Sequence, residues 1–359
     1  MRITRAVTDF FRDIGNSFSS ASVLGVDLGT SSIKLVELSG RRGELRLEGY
    51  GILETKRYLE QANQAIHTSS LKLVEAEAVR LLSVLLREVK PKAKMAVAAI
   101  PSFASFVAPI EMPLLAERET TQSVAFQARQ YIPLPIGQVT VDWFKVEEYE
   151  NDRGQRFQRL LIVGTPNELI AKYRAVFRAV GLRLVAMEIE SLALVRALAA
   201  SLEGVTAVVD VGAEVTNIAI AEGGVLKYNG QSDYGGATLS QALSRSLGVS
   251  VTRAEELKRR RGLLGTRGES ELSTPIYPFL DVIIAEVRHV IDAFERRYGK
   301  TVGRVVLVGG GANLFGIEQY VAGQLRLPLV RGHGFARVGH PVELEPVMGE
   351  LTNEFAVAL

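Results

Sequence analysis

Short apolar runs separated by glycine-bearing turns form two similar groups in this chain. The first group predicts β-strands at Val23–Leu28, Ile33–Leu38 and Glu44–Leu53. The second predicts strands at Ala207–Val211, Asn217–Ala221 and Val225–Tyr228. Because the two groups share their layout, the chain is predicted to contain two structurally related halves.

Apolar residues at helical spacing alternate with further short strands. The predicted helices are Val74–Val89, Arg118–Tyr131, Asn167–Val180, Glu190–Ala200, Leu239–Ser246, Thr252–Arg261, Ile276–Arg297 and Gly316–Leu325. The other predicted strands are Met95–Ile100, Val139–Val146, Arg159–Val163, Val185–Ile189 and Val305–Val308. This mixture indicates an α/β protein.

Two segments stand apart from this pattern. Residues 103–182 interrupt the first half and are predicted to form an inserted small subdomain, in which the apolar run up to Ile110 continues beyond a buried strand as a loop. Residues 1–22 carry apolar side chains at helical spacing. They form either a mobile tail that folds back on its own domain or an amphipathic segment that docks on a membrane surface or a partner.

Composition excludes several classes of function. The chain has 359 residues, of which 47% are hydrophobic, so two or three domains are expected. Its formal net charge of +2 gives no electrostatic argument for nucleic-acid binding. The absence of cysteine excludes disulfides and thiolate metal sites. The four histidines lack metal-ligand spacing, and we expect a cytoplasmic protein without a signal peptide.

Three glycine turns carry the candidate chemistry. Asp27 and Asp210 each end a predicted strand shortly before a glycine, Gly29 or Gly212. Glycine lets the backbone approach a phosphate, and a nearby carboxylate can orient hydrated Mg²⁺. The third turn, Gly309–Gly311, follows a buried strand, and its bare backbone is suited to lie against a nucleoside.

In order and spacing, these turns resemble the phosphate-1, phosphate-2 and adenosine motifs of the superfamily of actin, sugar kinases and heat-shock chaperones. Within that superfamily the chain resembles the PilM family, the actin-like proteins of type IV pilus assembly. The segments that carry this resemblance are Leu24–Leu38, Gln127–Pro135 with Val141–Trp143, and Gly235–Gly236 with Ala254–Lys258. The resemblance extends from about Ser22 to Leu359.

The resemblance implies an actin-like two-domain fold: a duplicated ribonuclease-H-like core with an inserted subdomain of the FtsA/PilM type. The expected divisions are a tail at 1–22; subdomain IA at 23–102, 183–204 and 335–359; the inserted subdomain IC at 103–182; IIA at 205–239 and 301–334; and IIB at 240–300.

The same resemblance assigns a site for ATP and Mg²⁺. Asp27 and Asp210 become the ligands of metal-bound water, and Glu190 either orients the attacking water or serves only as a favourable charge at a helix start. The implied nucleotide contacts are Gly29, Thr30, Ser31, Ser32, Lys34, Gly212, Ala213, Glu214, Thr216, Gly235, Gly236, Glu255, Lys258, Gly309, Gly310 and Gly311. Since Glu214 adds negative charge beside the phosphates, we expect a slow ATPase at most.

The implied function is a cytoplasmic scaffold, recruited to the inner membrane, whose nucleotide state regulates binding to the N-terminal peptide of PilN. Motor or platform proteins of the pilus are further possible partners. The peptide is expected in a groove beside two exposed loops, Phe103–Ile110 and Tyr131–Trp143, unless their aromatic residues only close the subdomain core. The alternatives are a sugar or acid kinase on the same fold, an FtsA-like division protein, and a GspL-like type II secretion protein.

Overall fold

The computed structural model describes residues 22–41, 44–54, 75–199, 202–263 and 274–359. The apolar stripe predicted in the N-terminal tail lies outside these residues, so both interpretations of it remain predictions. Among the described residues, no helix combines the length and the apolar character needed to cross a membrane.

The strands, numbered along the chain, include every strand predicted from the sequence. They are β1 (Val23–Leu28), β2 (Ser32–Arg41), β3 (Glu44–Glu54), β4 (Met95–Ile100), β5 (Phe106–Pro113), β6 (Val139–Glu150), β7 (Arg156–Pro166), β8 (Arg183–Ile189), β9 (Val205–Val211), β10 (Thr216–Glu222), β11 (Val225–Ser232), β12 (Arg304–Val308), β13 (Leu329–Val330) and β14 (Val338–Gly339). Three of them, β5, β13 and β14, were not predicted.

The helices overlap all the predicted ones, with small differences at their ends. They are α1 (Glu75–Val89), α2 (Glu117–Gln127), α3 (Asn167–Ala179), α4 (Glu190–Leu194), α5 (Gly236–Leu247), α6 (Val251–Arg261), α7 (Tyr277–Tyr298), α8 (Ile317–Leu325) and α9 (Met348–Phe355). Helix α4 continues as one π-helical turn, Val195–Ala199. The boundary expected between 239 and 240 falls inside α5.

Two sheets repeat one strand order. The first runs β14-β3-β2-β1-β4-β8 and the second runs β11-β10-β9-β12-β13. In each, an antiparallel hairpin, β1–β2 or β9–β10, is joined by a parallel strand, β4 or β12. The shared order confirms the predicted duplication of an α/β core. We call the parts built on the first and second sheets the first and second lobes.

The inserted segment forms a third sheet, ordered β5-β7-β6, that is buried on both faces. Successive residues of β7 point to opposite faces. Leu160 and Ile162 pack with Val124 around helix α2. Leu161 and Val163 instead belong to the buried core of the second lobe. The insert therefore packs against the lobe to which it is not directly joined by the chain.

The predicted loop through Ile110 is wrong from Phe106 onward, because these residues form β5. Pro109 interrupts the apolar pattern, but β5 is an edge strand that pairs only with β7 among the described residues. A proline without an N–H group is tolerated at such an edge. The second predicted loop, Tyr131–Trp143, likewise ends within β6.

Helix α3 is not part of the inserted subdomain by packing, although 103–182 was predicted as one unit. Its fully buried Tyr173 and Phe177 lie in the same core as Leu82 and Leu85 of α1. The helix thus covers the first sheet, and the inserted unit ends with β7. The periodicity of α3 showed an amphipathic helix but could not show which sheet it covers.

Candidate functional site

The two hairpins place their aspartates in equivalent positions. Asp27 is the penultimate residue of β1 and lies opposite Lys34 of β2. Asp210 is the penultimate residue of β9 and lies opposite Asn217 of β10. Both carboxyl groups are over nine-tenths buried. They line one cavity of about 500 Å³ between the lobes, within the size range of nucleotide-sized ligand sites.

Most residues implied as nucleotide contacts line this cavity. They are Asp27, Gly29, Thr30, Ser31, Ser32, Lys34, Glu190, Asp210, Gly212, Ala213, Glu214, Gly236, Glu255, Lys258, Gly309, Gly310 and Gly311. Thr216 and Gly235 do not line it. The Thr216 hydroxyl is buried and donates to the Tyr234 carbonyl at 2.8 Å. In this structure it therefore links the start of β10 to the segment that follows β11.

The second phosphate turn is held against the start of helix α5. Gly236 N donates to Gly212 O at 2.9 Å, and Ala237 N donates to Ala213 O at 2.7 Å. A side chain at Gly235 would place its Cβ 2.7 Å from Gly212 O. Gly235 therefore acts on the site indirectly, because its small size lets α5 approach the turn.

Lys258 and Glu255 occupy one wall of the cavity and bind each other. Lys258 Nζ lies 2.7 Å from Glu255 Oε2 and donates to Gly236 O at 2.7 Å. On the same helix, Arg259 reaches across the cleft and donates to Glu54 Oε1 of the first lobe at 3.0 Å. Glu255 and Lys258, which the resemblance implies as nucleotide contacts, are thus part of a charge network that also joins the lobes.

The third turn requires glycine at its first position. Gly309 has φ of 85°, a left-handed conformation that disfavours a side chain. Its Cβ, if present, would lie 2.2 Å from Asp210 Oδ1 and 2.6 Å from Val211 O. The predicted adenosine turn and the second predicted metal ligand are therefore in direct contact.

Glu190 begins helix α4 with its side chain in the cavity. Its Oε2 accepts hydrogen bonds from Ser102 N at 3.1 Å and from Asn217 Nδ2 at 2.8 Å. Burial, with the charges of Asp27 and Asp210 nearby, raises the pKa of Glu190 to about 8. At neutral pH without a bound cation the carboxyl is therefore mostly protonated, a poor state for accepting a proton from water.

Burial also raises the pKa of Asp210 to about 6. Lys34 lowers that pKa, whereas Asp27 and Glu354 raise it further. The pKa of Asp27 is likewise raised, chiefly by burial. Several carboxyl groups thus share one poorly hydrated space, where each disfavours the ionisation of the others. A bound cation would relieve this repulsion.

The donor set fits a hydrated Mg²⁺ ion. Asp27 and Asp210 supply carboxylate oxygens, and the buried Oδ1 of Asn217 has no hydrogen-bond partner among the described residues. Among those residues no three acidic or histidine side chains converge closely enough to hold an ion directly. Mg²⁺ commonly retains several waters and binds through one or two carboxylates, which matches this arrangement.

We expect Glu190→Gln to be more stable than the wild type at alkaline pH, without nucleotide or Mg²⁺. The folded protein keeps the Glu190 proton up to about pH 8, whereas the unfolded chain releases it near the ordinary pKa of 4.5. Wild-type stability therefore falls as pH rises between these values. The variant should be almost equally stable at pH 4 and more stable by about 4 to 5 kcal/mol at pH 8.5.

Urea unfolding at the two pH values measures this difference. The control is Glu203→Gln, which removes an exposed carboxyl group and should change stability by less than about 0.5 kcal/mol at either pH. An equal effect of Glu190→Gln at pH 4 and pH 8.5 would contradict a raised pKa at this position.

Among the cavity residues that sequence reasoning missed, two polar ones lie close to the predicted aspartates and Lys34. Asn217 follows Asp210 at the same offset at which Lys34 follows Asp27, so the comparison of the hairpins could have found it. Glu354 comes from the last helix and lies 3.6 Å from Lys34. Its partner is distant in sequence, and no local pattern marks it.

The repeated sheets with a cleft between them and a three-stranded insert define an actin-like protein. A family model described as "Type IV pilus assembly protein PilM" matches residues 25–345. The chain therefore belongs to the PilM family of type IV pilus assembly proteins, as the sequence motifs predicted.

Other relatives agree with this fold. The cell division protein FtsA of Streptococcus pneumoniae is 24% identical in an alignment 371 positions long, which covers 92% of this chain and 80% of FtsA. A solved PilM–PilN type IV pilus biogenesis complex matches with a TM-score of 0.79 and 23% identity, covering 94% of this chain and 96% of that one. The ethanolamine utilization protein EutJ of Carboxydothermus hydrogenoformans matches with a TM-score of 0.57 and 19% identity, covering 97% and 93%.

Proposed function

We propose that this protein is an ATP-binding scaffold of type IV pilus assembly, whose nucleotide state regulates its binding to the N-terminal cytoplasmic peptide of PilN. The observation that carries the proposal is the single cavity lined by both aspartate hairpins and the glycine turn. Membership of the PilM family supports the pilus role. In this proposal PilN recruits the protein to the inner face of the inner membrane.

In this proposal, residues of both lobes bind the nucleotide in the cavity. Backbone of the first turn, from Gly29 to Ser32, and the Lys34 ammonium bind phosphate from one lobe. The backbone N–H of Ala213 binds it from the other lobe, since that of Gly212 already donates to Val215 O at 3.0 Å within the turn. Asp27 and Asp210 orient the water shell of Mg²⁺, which would neutralise phosphate charge when bound. A ligand held from both lobes favours the closed cleft by its differential affinity for that state.

Slow hydrolysis, or none, is expected because Glu214 lines the cavity and adds negative charge beside the phosphates. Without a bound cation, the raised pKa of Glu190 also keeps its carboxyl protonated near neutral pH, and in that state it does not accept a proton from water. Glu190 is instead placed to keep Asn217 oriented through the hydrogen bond that it accepts from Nδ2. We infer that ATP acts here mainly as a ligand that sets the conformation.

The inserted subdomain is the proposed site of peptide binding. It presents two large apolar side chains to solvent, Phe126 at 67% and Tyr131 at 45% exposure. Phe126 directly precedes the segment Gln127–Pro135 that resembles the PilM insert, and Tyr131 lies within it. An apolar peptide that covers them would gain about 25 cal/mol for each Å² of apolar surface removed from water.

A pull-down with a synthetic N-terminal PilN peptide tests this proposal. We expect at least about a 5-fold difference in capture between saturating Mg·ATP and Mg·ADP, a coupling of ordinary size. Phe126→Ala should reduce capture in both states, whereas Phe315→Ala, which truncates a 61% exposed phenylalanine of the second lobe, should not. Equal capture with ATP and ADP would refute regulation by nucleotide. If Phe126→Ala captures the peptide as well as the wild type does, the peptide binds elsewhere on the protein.

A further inference from the structure

Helix α9 is anchored on the first lobe beside the cavity. Its buried Phe355 makes an edge-to-face contact with Tyr50, with ring centroids 5.6 Å apart. The carbonyl of Ala358 lies directly over Gly25 of β1, where a Cβ would approach it to 1.8 Å. The end of the chain is therefore packed tightly on the first sheet.

The polar side of the same helix binds the second lobe. Asn353 O accepts a hydrogen bond from Gly309 N at 3.0 Å, and Asn353 Nδ2 donates to Asn313 Oδ1 at 2.8 Å. Asn313 in turn donates from Nδ2 to Glu354 Oε1 at 3.0 Å. Helix α9 thus connects the first sheet to the glycine turn that is predicted to hold the nucleoside.

The second oxygen of Glu354 faces the lysine of the first phosphate turn. Glu354 Oε2 lies 3.6 Å from Lys34 Nζ, and Asp27 Oδ2 lies 3.9 Å from it on another side. Among the described residues, no acceptor lies within hydrogen-bond distance of this ammonium. The Lys34 side chain is only 14% exposed. A buried ammonium group that lies between two carboxylates without a hydrogen bond to either readily forms one with a stronger acceptor.

We propose that Glu354 is the resident counter-ion of Lys34 and that the phosphates of a bound nucleotide displace it. The inference rests on the proposed ATP site and adds a residue that senses phosphate. A polyphosphate carries more negative charge than one carboxylate, so it binds Lys34 and repels Glu354. When Glu354 moves away from Lys34, its hydrogen bond with Asn313 is strained or broken. Phosphate binding thereby changes the position or stability of helix α9.

Calorimetric titration of Glu354→Gln with Mg·ATP and with adenosine tests the competition. Removing the competing charge should tighten ATP binding by about 10-fold and change adenosine binding by less than about 2-fold. Glu350→Gln is the matched control, because it removes the same charge one turn earlier, on a side chain without an ion pair to Lys34 among the described residues. Glu350→Gln should increase ATP affinity by less than about a third of the factor expected for Glu354→Gln.

Hydrogen exchange tests the same ion pair without nucleotide. In the ligand-free protein, Glu354→Gln should speed amide exchange in residues 348–359 by about 5-fold, and added ATP should then change that exchange little. In the wild type, ATP should speed it by a similar factor. Unchanged exchange in the ligand-free variant, or equal tightening for ATP and adenosine, would overturn the inference. A wild type that binds no ATP would instead contradict the proposed function, while the ligand-free arm would still report on the ion pair.

Discussion

Asp210→Asn should weaken Mg·ATP binding by about 100-fold, and Asp27→Asn should have a similar effect. The substitutions preserve shape but remove one of the two carboxylates that orient the water shell of Mg²⁺. Loss of a group that holds a metal through its outer shell commonly costs 10- to 100-fold in affinity. Calorimetric titration in magnesium buffer measures the change directly.

Titration with ATP in chelator provides the internal control. Without Mg²⁺ the same variants should bind ATP as well as the wild type or better, because each removes a negative charge that repels the phosphates. Asp292→Asn, an exposed change on helix α7, controls for charge alone. If both cavity variants bind Mg·ATP with wild-type affinity, the site is not the magnesium–nucleotide site that we propose.

Gly309→Ala should both destabilise the protein and abolish ATP binding. The alanine would need the left-handed φ of 85° and would place its Cβ against Asp210 and the backbone of Val211. Relieving that overlap requires the backbone to move, since the carbonyl oxygen of Val211 cannot rotate away as a side chain can. We expect a loss of about 3 kcal/mol or more in the free energy of unfolding.

The neighbouring Gly310→Ala is the matched control. A Cβ there would meet only the tip of the Glu354 side chain, at 3.4 Å, and Gly310 has no positive φ. This variant should unfold within about 0.5 kcal/mol of the wild type. Chemical denaturation of the two proteins provides the comparison. If the two alanines were equally harmful, the cost would belong to the glycine run in general and not to the contact between Gly309 and Asp210.

Local patterns were sufficient to predict the hairpins of the site. Strand periodicity and glycine punctuation located β1 with β2 and β9 with β10, and each aspartate stands at a strand end that the sequence already indicates. The resemblance then supplied the relation between the two turns. What remained unpredictable depended on packing, as with α3, whose periodicity shows an apolar face but not which sheet that face covers.

Two other misses have a different physical origin. Pro109 argued against a strand because it lacks an N–H group, and only the position of β5 at a sheet edge removes that objection. Glu354 meets Lys34 across most of the chain length, at a point where the last helix lies over the first hairpin. Contacts of this kind are set by the completed fold and leave no periodic trace in the sequence.

The inserted sheet has one further consequence for movement of the protein. Its chain connections run to the first lobe, but Lys227 of the second lobe donates to the carbonyl of Val146 at 3.0 Å, and Arg297 donates to that of Pro109 at 3.3 Å. The insert is thus held by covalent connections to the first lobe and by hydrogen bonds to the second. When the lobes rotate, it must either slide over the apolar surface beneath Leu161 and Val163 or tilt with the second lobe about its two connections, and either motion would reorient any partner that it carries.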